Sequence, residues 1–270
     1  MTFKDSMLKC NSEMQPSNRW EVMEKAYNDY YLNFQGDKTP KIPKIIHQIW
    51  LGSPFPDKYK KLTDIWREKH PDWAFLLWTE KEIEEFGLVN KWMYDNMRNP
   101  SAKSDIVRYE VAYSYGGIYI DTDFYCCKNF EDLLYLDFFC GLIGSYDGRL
   151  VEAETCAAPG IFACSSGNKL VGQIIQNINK ITVIPRTIPE IMTITGPEMF
   201  SRNIIAEMDK HSLSVVFPPN FFFPFPGVQR QSIRNLSIPE IEKKLNRYIY
   251  PETYAMHLWY CSWQEKELFT

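Results

Sequence analysis

Two aspartates, Asp121 and Asp123, follow a short apolar run in "GGIYIDTDFY" and are separated by one residue. In an extended strand alternate side chains lie on one face, so the two carboxylates would point to the same side. Tyr119 would share that face, whereas Ile118 and Ile120 would pack into a sheet. Adjacent unpaired carboxylates raise each other's pKa, and a bound divalent cation removes that repulsion. The pattern therefore indicates a hard, oxygen-seeking ion, Mn²⁺ or Mg²⁺, shared with the phosphate oxygens of a substrate.

A solvated turn after a strand is the alternative interpretation, because Asp is common in such turns. Two observations favour a site. The pair comes at the carboxyl end of a predicted strand, where α/β sheets bind ligands. The helix before that strand carries Asp105 and Arg108, three residues apart and therefore on one face. Spacing alone leaves an ordinary ion pair within the helix open for these two residues.

The elements that position these residues are predicted from apolar spacing. A strand over "KIIHQIWLG", a helix that ends before Pro71 and a strand over "WAFLLWT" indicate a mostly parallel sheet covered by helices. Residues 80–97 are predicted as helix. The next helix begins with Ser101 as its cap and ends at Gly116 and Gly117, which suit a left-handed conformation. Residues 1–40 are predicted as a helical arm that Gly36 ends.

Composition restricts the class of protein. The 270 residues include 30 basic and 34 acidic ones, so a net charge of -4 argues against nucleic-acid binding. The seven cysteines are scattered and form no CxxC pair, which argues against a zinc site or a disulfide framework. Neither an apolar leader region nor an apolar run of about 20 residues is found. A cytoplasmic protein is therefore expected.

Three stretches together resemble a known family. "KSDIVRYEVAYSYGGIYIDTD" resembles the signature of glycosyltransferase family 32, sugar transferases that include yeast-type mannosyltransferases and bacterial capsule enzymes. It is also similar to the core of glucosylating bacterial toxins. "IPKIIHQIWLG" resembles the family's first strand, and "MHLWYCSW" resembles its terminal element. The resemblance spans residues 42–263 and implies a GT-A-type, Rossmann-like α/β fold, with residues 1–40 as a helical extension and 41–270 as a single domain.

The resemblance also implies roles for residues. Asp105 and Arg108 would hold the hydroxyl groups of a donor sugar. Asp121 would contact the ribose and the metal, and Asp123 would ligate the metal. The nucleotide would lie beside Ile49, Trp50 and Tyr119, with its base stacked on Trp50. His257 would be a third metal ligand or a diphosphate contact. The diphosphate would be covered by Ser262 and Trp263. His257 as a core histidine remains the alternative.

The activity that this resemblance implies is metal-dependent transfer of a hexose or N-acetylhexosamine from a nucleotide-sugar, with retention of anomeric configuration. A UDP-sugar is the preferred donor, and a GDP-sugar is the alternative. The acceptor would be a glycan or a lipid-linked saccharide in cell-surface polysaccharide synthesis. A haloacid-dehalogenase-like phosphatase and a non-catalytic nucleotide-sugar or glycan-binding module are the rival interpretations.

The stretch "VVFPPNFFFPFPG" is the most apolar part of the chain. Its proline density argues against a spanning helix, so a strand and a loop packed on the core are expected. A peripheral contact with the inner face of the membrane is the alternative. His47 lies in the first strand and is expected to be a core residue whose ring nitrogens are satisfied.

Overall fold

The computed structural model describes residues 1–10, 18–144 and 156–260. The strands are β1 (Ile45–Ile49), β2 (Ala74–Trp78), β3 (Gly117–Ile120), β4 (Phe124–Cys126), β5 (Phe138–Leu142), β6 (Ala157–Cys164), β7 (Ser214–Phe217) and β8 (Ala255–His257). The helices are α1 (Phe3–Cys10), α2 (Asn18–Tyr27), α3 (Asp57–Lys69), α4 (Glu80–Phe86), α5 (Lys91–Asn96), α6 (Pro100–Tyr115), α7 (Lys169–Asn179), α8 (Ile188–Ile194), α9 (Pro197–Glu207) and α10 (Ile238–Leu245).

The central sheet has six strands in the order β2-β1-β3-β6-β5-β7. Strand β1 pairs in parallel with β2 and β3, and β5 pairs in parallel with β7, whereas β6 is antiparallel to both of its neighbours. The prediction of an α/β fold with a mostly parallel sheet is confirmed. Because β1 and β3 are parallel neighbours, the residues that follow them, Trp50 and Asp121, leave the sheet at the same edge.

A second, two-stranded sheet joins the end of the described chain to the centre. Strand β8 runs antiparallel to β4, with His257 opposite Phe124. Since Phe124 directly follows Asp123, this pairing places His257 beside the second aspartate. The contact joins residues 134 positions apart in sequence. It depends on tertiary structure that local periodicity does not reveal.

Helix α6 begins two residues earlier than predicted. Asn99, and not Ser101, is the N-cap: its side chain accepts from the backbone N–H groups of Ser101 and Ala102. Asn is as good a cap as Ser, and Pro100 then takes the first helical position, where its missing N–H costs nothing. The predicted stop is confirmed, with φ of +67° at Gly116 and +100° at Gly117.

Residues 80–97 form two helices where one was predicted. Helix α4 ends at Gly87, which has a φ of +74° and closes the helix with a hydrogen bond to Ile83. The carboxylate of Glu110 on α6 accepts the backbone N–H groups of Val89 and Asn90 in the connection. Helix α5 then begins at Lys91. A glycine with positive φ and a buried acceptor therefore divide an otherwise helical pattern.

The predicted helical arm consists of α1, α2 and a π-helical turn over Asn28–Leu32, so regular helix ends before Gly36. Tyr27 of α2 is buried and lies edge-on to Phe217 of β7 and Phe221, at 6.0 Å from each ring. Phe3 of α1 contacts Tyr27 in the same way. The arm thus covers the outer strand of the central sheet with aromatic side chains.

The apolar stretch after β7 is part of the core. Phe221, Phe222, Phe223 and Phe225 are at most 1% exposed. The predicted packing on the core is therefore confirmed, and these rings are not available to a membrane surface. No helix in the described part of the chain is both long and apolar enough to span a bilayer.

His47 of β1 is a buried core residue, as predicted. Its Nε2 donates to the Gly116 carbonyl at 2.8 Å, and its Nδ1 accepts from the indole N–H of Trp78 at 3.1 Å. Burial lowers the pKa of His47 to about 4, against which the Gly116 hydrogen bond acts weakly. The neutral ring thus ties β1 to β2 and to the end of α6.

Candidate active site

A buried arginine connects two of the predicted carboxylates. Arg108 lies 3.0 Å from Asp105 within α6 and 3.5 Å from Asp121 after β3. The side chains of Arg108 and Asp105 are 6% and 7% exposed, whereas that of Asp121 is 30% exposed. The guanidinium also donates to the Pro159 carbonyl and lies over the Tyr119 ring. The pair is therefore more than an ion pair on a helix surface, because Arg108 also fixes Asp121 at the end of a neighbouring strand.

The acids beside Arg108 have raised pKa values. Burial raises the pKa of Asp105 to about 6, although the Arg108 charge opposes the shift, and Asp121 adds to it. Burial also raises the pKa of Asp121, against the attraction of Arg108. The Tyr119 hydroxyl donates to Asp121 at 2.6 Å. Asp121 is thus held on two sides by donors while part of its carboxylate faces solvent.

Asp123 has the opposite environment. The strand ends at Ile120, so Asp121 and Asp123 lie in a turn between β3 and β4 and not in a continuous strand. One oxygen of Asp123 lies 3.0 Å from His257 Nε2, and the other accepts the backbone N–H of Tyr260 at 2.9 Å. Burial alone would raise the pKa of Asp123, but His257 and the Tyr260 N–H outweigh it and lower that pKa.

This difference corrects the picture of two unpaired acids that repel each other. Asp121 does feel Asp123, but the repulsion ranks behind burial and the attraction of Arg108. In Asp123 the charge is stabilised by its partners. Neighbouring carboxylates whose environments move their pKa values apart are typical of functional sites.

Asp121, Asp123 and His257 form a group that could hold a metal. One ligand atom from each lies within 4.8 Å of the others. Ligands of one Mg²⁺ or Mn²⁺ ion lie about 2.1 Å from it, hence up to about 4 Å apart, so the group needs only a small contraction. Two carboxylates and one imidazole are acceptable donors for Mn²⁺. His257 Nδ1 is buried and has no hydrogen-bond partner in the described part of the chain. The donor set fits a manganese ion.

The predicted nucleotide side lies at the end of β1. Ile49 is the last residue of that strand and is buried, and Trp50 follows it half-exposed. The Trp50 ring packs on Tyr59 with 4.7 Å between centroids, and its indole N–H donates to Ser53. The half-exposed Trp50 ring therefore leaves one side of the Trp50–Tyr59 pair near solvent. Ser262 and Trp263, predicted over the diphosphate, lie outside the described residues.

Three contributors to the site were missed in the sequence. The Thr195 hydroxyl donates to Asp105 at 3.1 Å, and its carbonyl accepts from Tyr109. Gly160 of β6 leaves room for Asp121, since a Cβ there would lie 2.8 Å from the carboxylate. Tyr260 supplies its backbone N–H to Asp123. For Thr195 the sequence offers one signal, its position directly before the Gly-Pro turn of α9. The backbone N–H of Tyr260 and the close approach at Gly160 leave no pattern in the sequence.

The fold and the aspartate pair define a class of protein. The solved structure titled "PaToxG Glycosyltransferase" aligns with a TM-score of 0.52 over 92% of this chain and 94% of that one, at 17% identity. This likeness confirms the GT-A fold. Residues 56–139 match the family model described as "Glycosyltransferase sugar-binding region containing DXD motif". Asp121 and Asp123 lie in the matched region, so the resemblance predicted from the sequence is confirmed.

Curated relatives match part of the chain at higher identity. Inositol phosphoceramide mannosyltransferase 3 of Schizosaccharomyces pombe is 34% identical over 115 residues, 41% of this chain and 32% of that protein. Inositol phosphoceramide mannosyltransferase 2 of the same yeast is 37% identical over 144 residues, 47% of this chain and 42% of that protein. The matched segments thus span about a third to two fifths of these relatives.

Proposed function

We propose that this protein is a glycosyltransferase that moves a hexose or N-acetylhexosamine from a nucleotide-sugar to a glycan or lipid-linked saccharide, with retention of anomeric configuration. The observation that carries the proposal is the buried chain Asp105–Arg108–Asp121 next to the Asp123–His257 pair. It supplies donors and acceptors for sugar hydroxyls beside a group suited to a metal and a diphosphate. The match of residues 56–139 supports it.

In this mechanism Asp105 accepts a hydroxyl of the donor sugar, and Arg108 donates to another. When bound, a Mn²⁺ or Mg²⁺ ion held by Asp121, Asp123 and His257 would act as a Lewis acid toward the diphosphate oxygens. Asp105 and Asp121 are both engaged by Arg108, which weakens them as nucleophiles. Attack by the acceptor from the face of departure is therefore favoured over a covalent intermediate, and the departing diphosphate oxygen takes the acceptor's proton.

The identity of the sugar rests on two arguments that differ. From the sequence alone, a UDP-sugar is the preferred donor. The mannosyltransferase names of the curated relatives favour mannose as the hexose and an inositol-containing lipid as the acceptor. Synthesis of a cell-surface glycan or glycolipid fits either donor. We propose that the reaction takes place on the cytoplasmic side of a membrane, which is supported by the free thiols of Cys126, Cys127, Cys140, Cys156 and Cys164.

A panel of UDP- and GDP-sugars, each with and without Mn²⁺, tests the proposal. We expect one donor to raise the melting temperature in the presence of Mn²⁺ and to release its nucleoside diphosphate slowly, since water can replace the acceptor. Arg108→Met should abolish the release. NMR of the sugar product from a competent acceptor then reports the anomeric configuration. If no donor stabilises the fold or is hydrolysed, the transferase proposal is wrong.

The same panel, extended by simple phosphoesters, separates the rival functions. A phosphatase would release phosphate from simple phosphoesters and lose that activity in Asp121→Asn. Asp121 accepts from Tyr119 and is paired with Arg108, which is unfavourable for the nucleophile of such an enzyme. A non-catalytic binding module would bind a donor without hydrolysis or transfer to any acceptor.

A further inference from the structure

A second cation, Lys58, lies beside the carboxylate site on the first turn of α3. Its ammonium is 3.2 Å from the centre of the Tyr260 ring and donates to the Arg234 carbonyl at 3.3 Å. Tyr260 in turn donates its backbone N–H to Asp123. Lys58 therefore contacts the residue that holds the second aspartate of the motif.

The same lysine borders the predicted nucleotide side. Tyr59, its neighbour in the chain, packs on Trp50 at 4.7 Å and on Tyr260 at 6.1 Å between ring centroids. Trp50 and Asp123 are thus joined by two aromatic side chains, with Lys58 against the second of them. Under the proposed function, a nucleotide whose base stacks on Trp50 and whose diphosphate reaches Asp123 would lie close to this aromatic wall.

Among the described residues, Lys58 forms no ion pair, although the charge of Asp123 acts on it. Burial is the main cause that lowers the pKa of Lys58, and the Arg234 charge lowers it further, whereas Asp123 raises it. A partly buried ammonium is stabilised by a nearby anion, so a bound phosphate oxygen would oppose the effect of burial on Lys58. An ammonium has three N–H groups. In the described part of the chain, the Lys58 ammonium has one hydrogen-bond acceptor, the Arg234 carbonyl, and the Tyr260 ring lies against a second side of it.

We propose that Lys58 binds the diphosphate of the nucleotide substrate. Its positive charge contacts the phosphate oxygens directly and does not need a metal ion for this. The inference rests on the proposed function, because it assumes that a nucleoside diphosphate enters this site. Lysine suits the role, since its compact charge binds phosphate oxygens without a fixed geometry. The Tyr260 ring and the Arg234 carbonyl hold the ammonium in place.

Lys58→Met tests the inference, because methionine keeps an apolar stem and removes the charge. The matched control is Lys61→Met, an exposed lysine on the same helix. Calorimetric titrations with UDP, GDP and the corresponding nucleosides are made in EDTA, so that no metal contributes. We expect Lys58→Met to weaken diphosphate binding by about 10- to 100-fold, the range for a hydrogen bond to a charged group. Nucleoside binding should be unchanged, and Lys61→Met should match the wild type.

The outcomes separate the two proposals. If the wild type binds neither UDP nor GDP, with or without Mn²⁺, the proposed function fails, and this inference fails with it. If the wild type binds a diphosphate and Lys58→Met binds it equally well, only the role of Lys58 is overturned. An equal loss of nucleoside affinity would also overturn it, since Lys58 would then support the aromatic wall. Lys58→Gln, which keeps a donor for the Arg234 carbonyl, replaces the Met variant if that variant unfolds.

Discussion

Asp123 shows how a single residue serves both the fold and the proposed chemistry. Its two oxygens hold His257 on β8 and the backbone N–H of Tyr260, so it ties the last described strand to the DXD turn. Asp121 makes no such tie, because its partners lie on α6 and β3. The two aspartates are therefore expected to differ in what their removal does.

We predict that Asp123→Ala destabilises the metal-free protein by about 1–3 kcal/mol, because it leaves a buried N–H and a buried imidazole without their acceptor. Urea unfolding in EDTA measures the loss. The repulsion between two acids, argued from the sequence, would have predicted no loss. The same variant should also lose Mn²⁺-dependent nucleotide binding. An unchanged free energy of unfolding would show that the contacts of Asp123 are replaced by water at no cost.

At the scale of elements, the turn between α6 and β3 sets the distance between the helix that carries Arg108 and the strand that leads to Asp121. Gly117 has a φ of +100°, and a Cβ there would lie 2.6 Å from the Ile45 carbonyl of β1. Both the conformation and the contact exclude a side chain. The two glycines therefore allow the helix to end directly at the parallel neighbour of β1.

We predict that Gly117→Ala costs more stability than the left-handed conformation alone explains. Gly167→Ala is the matched control, because Gly167 has a φ of +71° and nothing within 4 Å of an added Cβ. The control should lose about 1 kcal/mol. Gly117→Ala should lose at least about 2 kcal/mol more, since β1 and β3 must separate to admit the methyl group. Equal losses in chemical denaturation would mean that the strands adjust without cost.

The elements also show what the sequence could and could not predict. Strands β1 and β3, helix α6 and the glycine stop follow from local spacing, and these elements alone bring Asp105, Arg108 and Asp121 together. His257 was available only through the resemblance, because β4 and β8 pair across more than a hundred residues. Thr195 could not be assigned to Asp105 by spacing, since that contact depends on how the chain before α9 packs against α6.

At the scale of the whole molecule, two buried groups give stability opposite dependences on pH. His47 has a pKa of about 4 in the fold and 6.5 as its ordinary value, so the unfolded chain binds the extra proton between these values. Its share of stability is complete above pH 6.5 and is lost as the pH falls to 4. Asp105 has a pKa of about 6 against an ordinary 3.8, so its share is complete below pH 3.8 and is lost as the pH rises through 6.

Each shift corresponds to about 3 kcal/mol, at 1.36 kcal/mol per pKa unit, so the two shares nearly cancel between pH 4 and 6. We predict that His47→Gln shifts the pH dependence of the free energy of unfolding, relative to wild type, toward greater stability in acid. Asp105→Asn should shift it toward greater stability at neutral pH. Chemical denaturation at pH 4.5, 5.5 and 6.5 measures the difference in slope between each variant and wild type, which isolates one group from all other titrating residues. Parallel curves for wild type and Asp105→Asn would show that Asp105 is ionised throughout this range, held so by Arg108.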